Sequence, residues 1–357
     1  MKINDPQPIP ISKKKIFYKV NEDLKAYLES HDRYYQSPLL YEDLLRFQDS
    51  FPVYDKKNRD TFWATVMYSE YEMEEIHLGL KKIYVRLKSD GNSKSLNNLL
   101  IDSIDFCKFG NSHPFRIKIK NLFNDNHDYF YIKRADASRV YGLELEQILS
   151  PNHINFLVHN DTLVEEHIIG IPGDDFIQNY WNDKLDKIRL AKEFVKFNER
   201  CFMRLLGDQR SYNFVIVATP DFDQMQYRIR SIDFDQQSYE GRLNLYKPQF
   251  FKENLPFVKL TIDMLNQKSI YQYQAEERAL LAKRILAEKH RLDDLMEIMQ
   301  KDTISTPEKT TQLRNEVYDL LKDINFKNCK TMGEIIKASL DFILRNYQSA
   351  VLFSDNE

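Results

Sequence analysis

Three oxygen-bearing side chains near the middle of the chain are the strongest candidates for chemistry. Asp208 and Asn213 lie in one loop-like segment between a helix-like stretch and a strand-like stretch, and Asp233 follows the end of the next strand-like stretch. If the two strands form a hairpin, Asn213 and Asp233 lie side by side, so that two hard oxygen ligands face one spot. Carboxylate and carboxamide oxygens suit Mg²⁺, which proteins hold with one or two groups while water and phosphate oxygens complete the shell. The spacing therefore predicts a magnesium site.

Asp208 adds an acid–base group to this predicted site. A carboxylate just upstream of the metal ligands is placed to accept the proton of an attacking hydroxyl group. In phosphoryl transfer, positioning and charge neutralisation account for nearly all of the catalysis. The three residues together therefore predict a centre for phosphoryl transfer.

The stretches that would position these residues begin with a sheet-forming region. In residues 114–122 three apolar side chains, Phe115, Ile117 and Ile119, alternate with basic ones, which is typical of a strand with one solvent-facing side. A helix is predicted over 138–149. Further strands are predicted over 99–109, 129–133, 154–158 and 163–169. The region is therefore predicted to form an antiparallel sheet with one helix.

Helical patterns dominate after this sheet. An apolar stripe over 182–205 predicts a helix that ends near Gly207. Two strands, 214–218 and 227–232, are joined by a turn that contains Pro220 and several aspartates. Past residue 250 the pattern is almost entirely helical. The catalytic candidates thus lie between one long helix and one hairpin.

The first hundred residues form a separate pattern. Residues 21–50 look largely helical, 61–68 have the β-branched and aromatic content of a buried strand, and Ser69 with Glu72 predicts the start of another helix. A small polar segment, 89–95, follows. We therefore predict an α+β protein of three parts, which are an N-terminal α/β extension (1–98), a small antiparallel-sheet lobe (99–170) and a large helical lobe (171–357).

The residues around the predicted magnesium site resemble two motifs of the protein-kinase-like superfamily. Gly207-Asp208 with Asn213 is similar to its catalytic loop, and Ile232-Asp233-Phe234-Asp235 is similar to its metal-binding motif, nearest to the aminoglycoside, choline and lipid kinase relatives. The resemblance covers roughly residues 100–250. It implies a bilobal kinase-like fold that binds ATP and Mg²⁺ between its lobes, with Asp208 as the catalytic aspartate and Asn213 and Asp233 as metal ligands. Asp235, where protein kinases carry a glycine, is implied to serve a second metal ion.

The same resemblance implies further residues at the phosphates. Lys133, at the end of a strand, stands where kinase-like proteins place the lysine that holds the α- and β-phosphates. Glu144 in the following helix resembles the glutamate that pairs with this lysine, and Glu146 is the competing choice because the sequence does not fix the helix phase. Arg210 stands where protein kinases carry a lysine, and it is implied to stabilise charge on the transferring phosphate.

Two other segments are implied to bind the nucleotide. The chain has no G-x-G-x-x-G loop, so residues 109–113 form the one candidate turn whose backbone N–H groups could meet a phosphate, with Gly110 in it. Residues 164–168 correspond to the hinge between the lobes. There the backbone around Glu166 is implied to bind adenine, while the carboxylates of Glu165 and Glu166 are expected to face solvent.

The composition narrows the choice of partners. The chain has 51 Lys+Arg against 54 Asp+Glu, a net charge of −3, which argues against a nucleic-acid partner. No apolar run approaches the roughly 20 residues that span a bilayer, and the first residues lack the pattern of a secretory signal. We therefore expect a cytoplasmic protein that acts on an unidentified phosphoacceptor, either a protein or a small molecule. Lys13-Lys14-Lys15 is expected to be a solvated charge run.

Three alternatives stay open. The missing glycine-rich loop and Leu206, where relatives carry His or Arg, favour a catalytically degenerate pseudokinase that serves as a nucleotide-binding scaffold. The same fold would also support transfer of AMP in place of phosphate. Asp233 and Asp235 would otherwise form the D-x-D metal site of a glycosyltransferase or nuclease, which leaves Lys133 and Asn213 without roles.

Overall fold

Sheet-forming and helical segments occupy separate parts of the fold in the computed structural model, which describes residues 15–55, 57–89, 93–109, 112–182, 185–222 and 224–347. The strands are β1 (Asp49–Tyr54), β2 (Asp60–Met67), β3 (Leu99–Cys107), β4 (Phe115–Asn121), β5 (His127–Arg134), β6 (Phe156–His159), β7 (Thr162–Glu166), β8 (Ile171–Pro172), β9 (Phe214–Asp221) and β10 (Gln224–Ser231). The helices are α1 (Glu22–Ser30), α2 (Tyr41–Leu44), α3 (Glu70–Ser89), α4 (Ala137–Leu149), α5 (Gly173–Asp175), α6 (Lys187–Met203), α7 (Leu255–Met264), α8 (Gln267–Ala287), α9 (Lys289–Lys301), α10 (Pro307–Leu321) and α11 (Met332–Asn346). The α+β class with a small antiparallel sheet and a large helical part is confirmed.

Strands β1 to β7 form one antiparallel sheet in the order β1-β2-β3-β4-β5-β7-β6. The predicted alternation in β4 is confirmed, because Phe115, Ile117 and Ile119 are all buried while the basic residues between them are partly exposed. Residues i and i+2 of a strand lie on the same face of the sheet. The apolar face of β4 therefore forms the centre of the sheet lobe's core.

The N-terminal strands depart from the sequence prediction. Residues 21–50 are only partly helical, since α1 and α2 are followed by β1, a strand that the sequence analysis did not predict. Strand β1 contains Pro52 and has no buried residue, so its own pattern is weak. It forms by pairing with β2, which in turn pairs with β3 through Trp63 opposite Cys107. Strands on both sides of residue 98 thus share one sheet, and the predicted domain boundary there stays a prediction.

Helix α4 lies between the sheet and the helical lobe, and nearly all of its residues are buried. It packs against α8 and α9 on one side. On another side, a Cβ atom at Gly142 would lie only 3.0 Å from the Cβ atoms of Phe234 and Gln237. The glycine therefore lets the helix approach the segment after β10 closely.

The helical lobe confirms the predicted hairpin and the long helix before it. The apolar stripe of α6, which includes Phe194, Phe197 and Cys201, is buried, and α6 packs against α7, α8 and β10. Strands β8, β9 and β10 form a second, three-stranded antiparallel sheet. Helices α7 to α11 follow, as the pattern past residue 250 predicts. Within the described ranges, no helix combines the length and apolar character needed to cross a membrane.

Candidate active site

The β9–β10 hairpin brings two of the predicted metal ligands together. The strands pair in register to their ends, and beyond them the N–H of Ile232 donates to the carbonyl oxygen of Asn213 at 3.0 Å. Asp233 follows directly, so Asn213 and Asp233 lie side by side, as the spacing predicts. Asn213 Nδ2 donates to the carbonyl oxygen of Asp208 at 2.7 Å. This bond ties the Asp208 loop to the hairpin and leaves Asn213 Oδ1 as the amide oxygen for a ligand.

Asp208 has a left-handed backbone conformation, with a φ of 54°. This conformation is uncommon for residues other than glycine, although Asp adopts it more readily than most. Two hydrogen bonds hold it, one from the Asp208 N–H to the Leu245 carbonyl oxygen at 3.0 Å and one from Asn213 Nδ2 to the Asp208 carbonyl oxygen. Strained backbone persists where the surrounding contacts fix it, and functional sites are common examples. The loop is therefore fixed beside the hairpin end.

The Asp208 carboxyl group is subject to opposing influences. Burial raises the pKa of Asp208 above its usual range, Arg210 lowers it, and the negative charge of Asp233 adds to the rise. Arg210 Nε donates to Asp208 Oδ1 at 2.7 Å, and Arg210 Nη1 donates to Glu253 at 3.1 Å. A carboxyl group with a raised pKa is a better proton acceptor once it is ionised. Arg210 thus orients Asp208, while its predicted contact with a phosphate stays a prediction.

Arg139, in the first turn of α4, is a central residue that the sequence analysis missed. Its side chain is only 2% exposed, and its Nη1 donates to Asp233 Oδ1 and to Asp235 Oδ1, both at 2.7 Å. The opposite edge of the guanidinium binds Glu165 through Nε and through Nη2, the latter at 2.7 Å. Nothing in the pattern of 137–149 distinguishes this arginine from a solvent-facing one, since the sequence does not say what lies opposite it.

Lys133, at the end of β5, is paired with a carboxylate of the neighbouring strand. Its Nζ donates to Glu165 Oε2 at 2.8 Å, and both side chains are buried. The expectation that Glu165 faces solvent is therefore wrong. Burial acts to raise the pKa of Glu165, but the charges of Arg139 and Lys133 outweigh it and hold the pKa below its usual range. We call the resulting set of charges the Arg139 cluster, and it consists of Lys133, Arg139, Glu165, Asp233 and Asp235.

Neither glutamate proposed as the partner of Lys133 contacts it. Glu144 is completely buried on another face of α4, where it accepts hydrogen bonds from Tyr27 Oη at 2.8 Å and Arg291 Nη2 at 2.7 Å. Glu146 forms a salt bridge with Arg204 instead. The rotation of α4 about its axis, which tertiary packing sets, directs both carboxylates away from β5. The predicted Lys133–Glu144 pair and its Glu146 alternative are thus wrong, because Lys133 pairs with Glu165.

Asp235 is held by cations of this chain. Burial acts to raise its pKa, but the charges of Arg139, Lys15 and Lys133 outweigh it and lower the pKa of Asp235 to about 2. Lys15 is buried and its Nζ donates to Asp136 Oδ1 at 2.9 Å. Lys15 is therefore no solvated charge, contrary to the expectation for its run, whose other two lysines lie outside the described residues. The role of Asp235 toward a second metal ion stays a prediction.

The remaining two nucleotide-binding predictions concern the turn and the hinge. Gly110 lies outside the described residues. The carboxylate of Glu166 accepts from the Asn155 N–H at 2.8 Å and from Lys88 Nζ at 3.3 Å. The backbone N–H of Glu166 donates to the Asn155 carbonyl oxygen at 3.0 Å. This N–H is therefore already used within the sheet, and adenine binding by the hinge backbone stays a prediction.

The donor atoms at the hairpin end fit magnesium. The three carboxylates of the Arg139 cluster outnumber its two cations by one, which leaves one negative charge to attract a metal ion. Asp233 binds Arg139 through Oδ1, and its side chain is 35% exposed, so its other oxygen and Asn213 Oδ1 provide two hard ligands. In the part of the chain that the structure describes, no group of three or more His, Cys, Asp or Glu could hold a metal. Magnesium binding here, with water and phosphate oxygens completing the shell, stays a prediction.

Comparisons with known proteins give only distant similarities. No family model and no curated protein sequence matches the chain. Among solved structures, it is similar to a Plasmodium vivax ethanolamine kinase at 14% identity and a TM-score of 0.29, over 79% of this chain and 92% of that one. It is also similar to the autoinhibited serine kinase domain of the giant muscle protein titin at 10% identity and a TM-score of 0.27, over 68% of this chain and 92% of that one. At these values the chemistry has to be inferred from the chain's own side chains, and the relation to the small-molecule kinase branch stays a prediction.

Proposed function

We propose that the chain is a kinase-like phosphotransferase that uses ATP and magnesium and acts on a hydroxyl acceptor. The observation that carries this proposal is the arrangement at the end of the β9–β10 hairpin. Asn213 and Asp233 lie side by side there, and the Asp208 loop is hydrogen-bonded to Asn213. A carboxylate suited to accept a proton and two oxygen-bearing side chains suited to magnesium thus lie at one place, which supports the proposal of phosphoryl transfer.

Each residue has a defined part in the proposed reaction. The acceptor oxygen forms a bond to the γ-phosphorus of ATP while the bond from that phosphorus to the leaving ADP oxygen breaks, and the hydroxyl proton passes to Asp208. Magnesium, held by Asn213 and Asp233, would neutralise the phosphate charge. Lys133 donates one N–H to Glu165 and has two more for phosphate oxygens. The products are ADP and the phosphorylated acceptor.

Arg139 positions the other charges of its cluster. It binds one oxygen of Asp233 and both oxygens of Glu165, so it fixes the metal ligand and the partner of Lys133 at the same time. A guanidinium suits this role because its planar set of donors can bind several carboxylates in fixed geometry. Arg139 is therefore a positioning residue of the proposed site.

A second candidate function is that of a catalytically degenerate, nucleotide-binding scaffold. One observation favours it, namely that Arg139 already places a fixed cation on both Asp233 and Asp235, at 2.7 Å from each. In that case nucleotide would bind without transfer of a group. Transfer of AMP is a variant of the enzymatic proposal that uses the same residues. The mass of the modified product distinguishes phosphate transfer, AMP transfer and no transfer.

The test is thermal denaturation with and without magnesium and ATP, for the wild-type chain, Asp233→Asn and the control Asp263→Asn. Asp263 is exposed on α7, far in sequence from the hairpin. A ligand that binds the folded state raises the midpoint temperature of unfolding by mass action. Each midpoint temperature is compared with that of the same variant without nucleotide, because Asp233→Asn also removes a negative charge that pairs with Arg139. We expect a magnesium-dependent rise in the wild type and control, and its loss in Asp233→Asn.

Three results would contradict the proposal in different ways. The absence of any rise at millimolar nucleotide would exclude a nucleotide site. An equal rise in Asp233→Asn would place nucleotide binding elsewhere. A rise of the expected kind, with no labelled phosphate passing from ATP to any acceptor offered, would favour the scaffold.

A further inference from the structure

A cavity of about 610 Å³ opens beside the Asp208 loop. Its volume lies in the range of small-molecule binding sites, which is about 300–1,000 Å³. The cavity is formed by the loop itself, by the segment from 242 to 253 and by α10. Its lining includes Arg210, Arg242, Leu245, Phe250, Lys252 and Glu316.

Two of the lining residues are bonded directly to Asp208. The Leu245 carbonyl oxygen accepts from the Asp208 N–H at 3.0 Å, and Arg210 Nε donates to Asp208 Oδ1 at 2.7 Å. The cavity and the proposed catalytic base therefore share a wall. A molecule bound in the cavity would bring its hydroxyl group close to Asp208.

The charged side chains that line the cavity differ in whether they have hydrogen-bond or ion-pair partners. Arg210 is paired with Asp208 and Glu253, and both oxygens of Glu316 accept hydrogen bonds, from Gln312 and from the Leu243 N–H. Arg242 and Lys252, by contrast, are exposed and have no carboxylate partner within the described ranges of the chain. The lining thus carries three cations against the two carboxylates of Glu253 and Glu316, an excess of one positive charge, and the two exposed cations have no carboxylate partner among the described residues.

An apolar surface lies beside these cations. The side chain of Phe250, which lines the cavity, is 55% exposed. The next residue, Phe251, is buried, and the Arg210 guanidinium carbon lies 5.1 Å from the centre of the Phe251 ring. A carbon skeleton can cover the Phe250 ring and remove its apolar area from water. The cavity therefore provides a surface for a carbon skeleton and two cations for an anionic group, and two of its lining residues are hydrogen-bonded to Asp208.

We propose that this cavity binds the phosphoacceptor, and that the acceptor is a small hydroxylated organic anion. Its anionic group, a carboxylate or a phosphate ester, contacts Arg242 and Lys252, while its hydroxyl group faces Asp208. This inference rests on the proposed phosphotransferase function. It deepens that function by assigning the acceptor to the class of small anions. A neutral or cationic acceptor would leave Arg242 and Lys252 without a counter-charge.

The experiment measures binding of three probes with the same three-carbon skeleton to the full chain by calorimetry without nucleotide. The probes are glycerol 3-phosphate, glycerate and neutral glycerol. The test variant is the double substitution Arg242→Gln and Lys252→Gln, and the control is Lys259→Gln with Lys268→Gln, which removes two exposed cations outside the cavity. We expect at least one anionic probe to bind the wild type and the control. Its affinity for the test variant should be lower by about tenfold or more, and glycerol should not bind any of the three proteins.

The outcomes separate this inference from the function on which it rests. Binding of only glycerol 3-phosphate, or of only glycerate, identifies the anionic group. No binding of either anion at millimolar concentration, equal binding to the test variant, or equal binding of glycerol would overturn the inference. The rise in the midpoint temperature of unfolding that magnesium and ATP cause is measured on the same double variant, and we expect it to be unchanged. A retained rise without anion binding refutes the acceptor class alone, whereas anion binding without any rise refutes the phosphotransferase.

Discussion

Asp208 combines burial with two charged neighbours of opposite sign. Burial and the nearby charge of Asp233 favour its protonated form, while Arg210 favours the ionised one. Because desolvation is the largest of these influences, the pKa of Asp208 lies above its usual range. As a base, Asp208 must be ionised to accept the acceptor's proton. The arginine therefore determines how far into the acidic range the proposed enzyme stays active.

Replacement of Arg210 by Gln is expected to move the acidic limb of the pH profile of kcat/KM to higher pH. The substitution removes the hydrogen bond and the positive charge that lower the pKa of Asp208, so a higher pH is needed to ionise the base. Activity should thus fall more in mildly acidic buffer than near neutral pH. The measurement is the pH dependence of labelled phosphate transfer, with Arg228→Gln as the control, since Arg228 is exposed on β10. An acidic limb that does not move would show that Asp208 is not the titrating base.

The residues predicted for this site differ in how far sequence could identify them. Asp208, Asn213 and Asp233 were identified because their positions follow from a short loop and one hairpin, which are local structures. Arg139 and Glu165 were not identified as partners, although they lie at the centre of the charges. They come from different elements, and only packing brings them together.

Helix α4 is the element that links the site to the rest of the fold. Arg139 on one face binds β7 and the segment after the hairpin, and Glu144 on another face binds Tyr27 of α1 and Arg291 of α9. Glu146 binds Arg204. Each of these contacts joins the helix to a different element. A movement of α4 would therefore alter the predicted metal ligands and the helical lobe together.

Replacement of Arg139 by Met is expected to lower the free energy of unfolding by about 3–5 kcal/mol, because it removes the buried counter-charge that Glu165, Asp233 and Asp235 share. The loss should shrink in acid. The pKa of Asp235 is held at about 2, below its usual range, so the stability from its pairing is present above that range and disappears as the pH falls toward 2.

The control for this prediction is Arg59→Met, which breaks an exposed ion pair with Asp55. Arg59 is 65% exposed, and such a pair contributes at most about 1 kcal/mol. The free energies of unfolding are measured by urea denaturation at neutral and acidic pH. If Arg139→Met destabilises the chain no more than the control does, the Arg139 cluster does not hold α4 in place.

At the scale of the whole molecule, the N-terminal part is integrated into both lobes. Leu24, Tyr27 and Leu28 of α1 belong to the same buried core as α4, α9 and α11. Strand β2 pairs with β3 and so covers an edge of the sheet lobe. An uncovered edge strand and an exposed apolar core both favour aggregation. We therefore expect α1 and β2 to be needed for the structure of the rest.

A shortened chain that begins at residue 99 is expected not to fold on its own. The truncation removes buried residues of the shared core and leaves β3 without its neighbour β2. Near-ultraviolet circular dichroism and limited proteolysis, each compared with the full chain, test this expectation. A cooperative unfolding transition in the shortened chain would contradict it, and would support the predicted boundary at residues 98 and 99 as a domain boundary.

The sequence by itself determined the features that depend on neighbouring residues. The alternation of β4, the stripe of α6, the hairpin and the positions of Asp208, Asn213 and Asp233 all follow from local periodicity and short spacings. The α+β class follows from the order of these elements. Local hydrogen bonding and side-chain periodicity act within a few residues, so one sequence is enough to show them.

The tertiary structure decided which charges meet. It paired Lys133 with Glu165 and not with Glu144 or Glu146, buried Lys15, and added β1 to the sheet. These outcomes depend on the rotation of α4 and on contacts between residues far apart in the chain. A pattern of residue types determines neither the helix rotation nor these contacts. The hydrophobic effect that drives such packing is roughly proportional to the apolar area buried and has no preferred direction.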